Sequence, residues 1–155
     1  MIGRCPVTFV AKPLAICVIV AAAVGCGGTY DSTVNGVVRF EGKEVPTGTV
    51  SFTPQNAGPT AFSVIQPDGK YSLRTGREEG VPAGPYKVSI TAHEQPTAPS
   101  KDGGPLPLGK PITPEWYHNP TTSGLSFTVE PGENEINLEL TPTPPPGWKP
   151  PPKGR

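Results

Sequence analysis

Apolar and polar residues alternate with a period of two through most of this 155-residue chain, and the alternation predicts strands. Over residues 33–40, Val34, Gly36, Val38 and Phe40 share one face, with Asn35, Val37 and Arg39 on the other. Residues 49–53 (TVSFT) turn Val50 and Phe52 inward, and residues 61–66 form a third apolar run. The tetrapeptide 67–70 (PDGK) is a tight-turn signal, since Pro presets φ and Gly supplies a positive one, so residues 71–75 read as the returning strand of a hairpin. Tyr86, Val88 and Ile90 then share a face, as do Leu125, Phe127 and Val129. A turn over residues 131–134 leads to Ile136, Leu138 and Leu140. No period of 3.6 is sustained beyond residue 25. Strands apolar on one side, without helices to cover them, must pack against a second sheet. The expected fold is therefore all-β, a seven-stranded antiparallel β-sandwich.

Two proline-rich stretches interrupt the pattern. Gly and Pro make up 42 of 155 residues, but 7 of the 23 prolines fall in residues 96–120 and 7 more in residues 142–152. Residues 93–120 form a connection too long for a hairpin loop, and such loops are usually functional or mobile. Residues 142–155 cannot enter a helix or an inner strand, because proline donates no N–H; they are expected as an extended, semi-rigid tail.

The N-terminus has a different layout. Arg4 and Lys12 precede eleven uncharged residues, 14–24 (LAICVIVAAAV), and small residues lead into Cys26. Charged start, apolar stretch and small-residue site follow the order of a secretory signal, and the stretch is shorter than the ~20 residues needed to span a bilayer. Residues 23–26 (AVGC) resemble the lipobox of bacterial lipoproteins, which implies that Cys26 is lipidated and becomes the first mature residue. The other reading is an ordinary signal cut after one of residues 21–25, with Cys26 a plain thiol. The organisation is then signal 1–25, lipidated tether 26–32, sandwich 33–141 and tail 142–155. Cys5 and Cys17 leave with the signal, so the mature chain holds no internal disulfide and depends on packing and strand pairing. It keeps 11 basic and 13 acidic side chains, scattered, which argues against nucleic acid as a partner. The expected partners are a membrane, through Cys26, and an envelope protein or glycan. Gly27 after the cysteine, rather than Asp, resembles lipoproteins sorted to the outer membrane, so the expected location is outer-membrane or periplasm-facing.

Several segments together resemble the carboxypeptidase regulatory-like, or transthyretin-like, domains of short bacterial lipoproteins. They are residues 34–46 (VNGVVRFEGKEVP), 48–52 (GTVSF), 67–73 (PDGKYSL), 81–88 (VPAGPYKV) and 116–125 (WYHNPTTSGL). The resemblance covers about residues 33–141 and implies a transthyretin-like or Ig-like sandwich serving as a non-catalytic accessory unit. Fold-level analogy supplies no mechanism. The transthyretin fold also hosts a ureide hydrolase, which depends on strand histidines and a Tyr-Arg-Gly-Ser ending. Here the predicted strands carry no histidine, and the chain ends in PPKGR.

Catalytic sets are sparse. His93, His118 and Glu115 would meet as a metal site only if the long loop folded back, and they lack regular ligand spacing. There is no Gly-x-Ser-x-Gly elbow and no phosphate-binding loop. Glu78-Glu79 reads as a solvated loop tip, and Asp68 as a turn residue rather than a calcium ligand. No catalytic residue, metal or cofactor is therefore expected. Aromatics are the better binding candidates. Trp116 and Tyr117, adjacent in the long loop, either stack on a sugar or partner or close one end of the sandwich as a lid. Trp148, in the tail, has no evident burial partner; the tail is either a stiff spacer or a preformed ligand for an envelope partner. The main functional expectation is a non-catalytic envelope lipoprotein displaying a binding or structural module. The alternative is a carbohydrate or cell-wall binding module using Trp116 and Tyr117.

Overall fold

The computed structural model describes residues 30–95 and 108–150. The predicted signal, Cys26 and most of the tether lie outside these residues, as do 96–107 and the last five of the tail. The class expected from the pattern holds: two sheets pack face to face. Among the described residues the strands are β1 (Ser32–Phe40), β2 (Lys43–Glu44), β3 (Thr49–Pro54), β4 (Ala61–Val64), β5 (Lys70–Ser72), β6 (Arg74–Thr75), β7 (Glu78–Glu79), β8 (Gly84–Thr91), β9 (Ser126–Val129), β10 (Gly132–Glu135) and β11 (Leu138–Leu140). A 3-10 helix, Glu115–His118, lies between β8 and β9.

One sheet is organised around β1, which pairs antiparallel with β2 and β5 and parallel with β10 and β11. The other runs β7-β6-β4-β3-β8-β9. The core between them contains Val34, Val38, Val50, Phe52, Tyr71, Tyr86, Val88, Ile90, Val129, Leu138 and Leu140, all buried. Phe52 sits at its centre, with ring centroids 6.0–6.4 Å from those of Tyr86, Tyr71 and Phe127. Each of these residues lies on the face its alternation predicts.

Three features differ from the expected sandwich. First, it is not wholly antiparallel: Thr33 pairs with Glu133 and Val38 with Leu138 in parallel register. The cause is the short turn between β9 and β10, which passes the chain from one sheet to the other at the end where β1 begins. The last strand must then run in the direction of β1. Second, the seven strands are cut into eleven segments. Residues 71–75 are not one returning strand: β5 pairs with β1, whereas β6 pairs with β4 across the sandwich. The chain changes sheets at buried Leu73, whose N–H donates to the Val34 carbonyl. Third, the run 61–66 buries only Ala61, Ser63 and Ile65, leaving Phe62 and Val64 46% and 67% exposed.

Gly36 marks a close approach inside the β1 sheet. β10 and β11 hold one register to β1 and are interrupted at Ile136 and Asn137, where the side-chain Oδ1 of Asn137 accepts the Val37 N–H at 2.9 Å. This break swings the Ile136 carbonyl over Gly36, so a Cβ there would stand 1.9 Å from that oxygen. The same carbonyl accepts the Tyr71 hydroxyl at 2.7 Å. Gly36→Ala is expected to displace the last strand and cost several kcal/mol, well beyond the ~1 kcal/mol typical of a point substitution, read by urea denaturation. Burial holds the Tyr71 hydroxyl, and more weakly that of Tyr86, above the ordinary tyrosine pKa. A raised folded-state pKa means that stability is complete below about pH 10, where unfolded tyrosines start to ionise, and is lost as pH rises toward the folded value. Tyr71→Phe should therefore lower stability by about 1 kcal/mol at pH 7, through the lost hydrogen bond, and make the alkaline decline shallower.

Candidate functional site

The long connection is clasped to the sandwich at its base. The Glu94 N–H donates to the Lys110 carbonyl at 2.8 Å and the Ile112 N–H to the Ala92 carbonyl at 2.9 Å, with His93 bridged to Pro111. Thr113 then ties the chain to the end of β8. Its buried hydroxyl accepts the Ala92 N–H at 3.1 Å and lies 3.4 Å from the Ile90 carbonyl. The 3-10 helix follows, its first turn closed by Tyr117 N–H to the Pro114 carbonyl.

This short helix separates the two aromatic candidates. Tyr117 is buried; its hydroxyl accepts the Thr141 N–H at 3.1 Å and approaches the Thr141 carbonyl at 3.4 Å. Its ring is a wedge under the end of the sandwich and offers no open face to a ligand. Trp116 is half-buried against the core margin, its ring 5.9 Å from that of Tyr117. The indole Nε1 of Trp116 is buried and has no hydrogen-bond partner among the described residues.

Trp148 is not left without a partner. Its ring meets Trp116 edge-on at 5.2 Å and 67°. The tail is not extended throughout: Gly147, at φ 83°, makes a turn in which the Trp148 N–H donates to the Pro145 carbonyl at 3.2 Å. A left-handed residue between two prolines and a tryptophan is what reverses the chain there. Residues 142–150 thus form a strap that returns over the 3-10 helix, with Pro145 against Gly124. The spacing of Trp116 and Trp148, 32 residues apart in sequence, contains no signal of this contact.

His93 and His118 do come together, with ring centroids 5.8 Å apart. With Glu115, Phe40 and Ile112 they line a recess of about 400 Å³. His118 Nε2 lies 3.2 Å from the Thr113 carbonyl, to which an Nε2–H donates. Among the described residues, however, no three His, Cys, Asp or Glu side chains are placed to hold one metal ion. Two further acidic residues weighed in the sequence are engaged on the surface. Glu79 pairs with Arg74 at 3.2 Å, and Asp68 with Lys70 at 2.8 Å, a hydrogen bond that holds the Asp68 carboxyl below its ordinary pKa.

No family model and no curated protein matches the chain. Among solved structures it is similar to a DUF3823 family protein from Parabacteroides merdae, at 15% identity and a TM-score of 0.37. The match covers 72% of this chain and 46% of that one, so this chain spans less than half the length of its structural neighbour. At that distance the likeness carries no function. Thr113→Val, which leaves the Ala92 N–H buried without its acceptor, is expected to cost about 1–3 kcal/mol in urea unfolding and to free the segment bearing Trp116 and His118.

Proposed function

We propose that this chain is a non-catalytic envelope lipoprotein, anchored through Cys26, whose transthyretin-like sandwich carries a binding surface at the end remote from the anchor. The supporting observation is the polarity of β1. Its first residue, Ser32, is the last of the tether, and eight residues later Phe40 borders the recess that His93 and His118 share. At about 3.3 Å per residue the strand separates those ends by roughly 26 Å. The parallel partner β11 ends beside Phe40 at Leu140, so Thr141 and the strap also emerge at the remote end. His93, Trp116, Tyr117 and Trp148 are all gathered there, while the turns near Gly80 and Gly132 lie beside the tether.

The anchor itself is a sequence argument: a charged start, eleven uncharged residues and a lipobox-like AVGC. Among the described residues no helix is long and apolar enough to cross a membrane. Two or more acyl chains on Cys26 would supply stable attachment, which one chain does not. Of the two binding readings, a glycan platform needs flat, open rings. Tyr117 is buried and Trp116 is capped edge-on by Trp148, so the ring placements favour a protein or peptide partner in the envelope.

Cell fractionation tests the anchor. Wild-type protein should sediment with membranes, and Cys26→Ala should move most of it to the soluble fraction or leave the signal uncut. A Cys26→Ala chain that is cleaved normally and still sediments would overturn the reading.

A further inference from the structure

The remote end is already holding a ligand of one chemical class, the chain's own proline-rich segment. Residues 142–150 contain five prolines, at 142, 144, 145, 146 and 150, and the segment lies over Trp116 through Trp148 and over Gly124 through Pro145. The hold is weak in kind. At its root, Thr141 is bonded to the Tyr117 hydroxyl and donates its own hydroxyl to the Thr143 carbonyl at 3.4 Å, but among the described residues no hydrogen bond or ion pair joins 142–150 to any residue before Thr141. The Trp148 N–H is spent inside the strap, on Pro145. Between strap and body a recess of about 250 Å³ remains, lined by Thr121, Thr122, Gly124 and the strap itself.

The strap also leaves the surface incomplete. It helps to cover Trp116 but gives the indole Nε1–H no acceptor, and a buried donor left unpaired is costly. Proline-rich chains are suited to supply one. They are preformed in an extended helix, make no internal hydrogen bonds and present bare carbonyls beside apolar rings, which aromatic surfaces recognise at low entropic cost.

We propose that the Trp116 surface is a receptor for proline-rich segments, filled in cis by residues 142–150 and open to exchange with a proline-rich segment of a partner protein. In the exchanged state a partner carbonyl accepts the Trp116 Nε1–H and the strap, with Trp148, is released. The proposal rests on the binding-module reading but not on lipidation, so fractionation of Cys26→Ala and the experiment below fail independently.

The chain holds two tryptophans, so a ¹⁵N-labelled full chain in detergent gives two indole N–H signals. The probe is an unlabelled peptide of residues 141–155 (TPTPPPGWKPPPKGR). The Trp116 indole signal should shift on titration, and Trp148→Ala, which weakens the internal competitor, should bind the peptide at least tenfold tighter than the natural chain. Trp116→Phe should lose binding at least tenfold while keeping its melting temperature within a few degrees. An unmoved Trp116 signal in Trp148→Ala at millimolar peptide would overturn the proposal, even if Trp116→Phe fails to fold. Equal binding of a peptide with every proline changed to alanine would overturn it too. A Trp116 signal that shifts on dilution of the chain alone, with dimers in sedimentation, would assign the surface to the strap of a second copy instead.

Discussion

Everything in this fold is arranged around one strand. Among the described residues β1 is the first strand, yet it lies at the centre of its sheet, bonded to β2 and β5 and to the last two strands, β10 and β11. Residues 30–150 contain no cysteine, so the sandwich has to tie its ends together by main-chain hydrogen bonds, and here the parallel ladder does so. The ladder tolerates its own interruption at Ile136 only because Gly36 has no side chain beneath the displaced carbonyl. Tyr71 then anchors that carbonyl from the other neighbour of β1. One glycine and one tyrosine hydroxyl thus decide whether β5, β1 and the last strand can share a sheet.

The polarity of the molecule follows from the same arrangement. Because β11 runs with β1, the chain must leave the sheet at the end opposite its entry. The exit, at Thr141, falls where the long connection returns to the sandwich, and the two are joined through Tyr117. Tyr117 therefore serves the fold and the surface together: its hydroxyl holds the start of the strap, and its place in the 3-10 helix sets Trp116 at the margin. A loop whose exposed side chains are held in place by a rigid sandwich is a common division of labour.

The alternation made the core legible in advance. Val34, Val38, Val50, Phe52, Tyr86, Val88, Ile90, Leu138 and Leu140 are buried on the faces their spacing predicts, because a period of two is a local property of the strand. What alternation does not encode is pairing. Nothing in 71–75 tells that Tyr71 belongs to one sheet and Thr75 to the other, since a change of sheets at Leu73 preserves the inward–outward pattern. The parallel closure was hidden likewise, because it depends on where a turn hands the chain over. In the site, Trp116 and Tyr117 were visible as neighbours, but a single helical turn divides them into a surface ring and a buried wedge. The meeting of His93 with His118 depended on a clasp at Ala92 and Ile112 that no motif announces.

The tail shows how composition can mislead. Seven prolines in residues 142–152 argue for an extended spacer, and each proline does favour that state. One glycine is enough to reverse it. Gly147 admits the left-handed backbone, and Trp148 then meets a ring of its own kind, in the edge-on geometry that aromatic pairs prefer. The prolines still matter, because they stiffen the segment and reduce the entropy lost on docking. Stiffness also limits adaptation: the strap brings rings to Trp116 but no carbonyl to its buried Nε1–H. A free-standing proline-rich segment is not tethered at Thr141 and can slide until a carbonyl reaches that donor. The covalent tether thus favours the internal ligand by proximity, while the unpaired indole favours the external one by complementarity, and the balance between them sets whether the surface is closed or occupied.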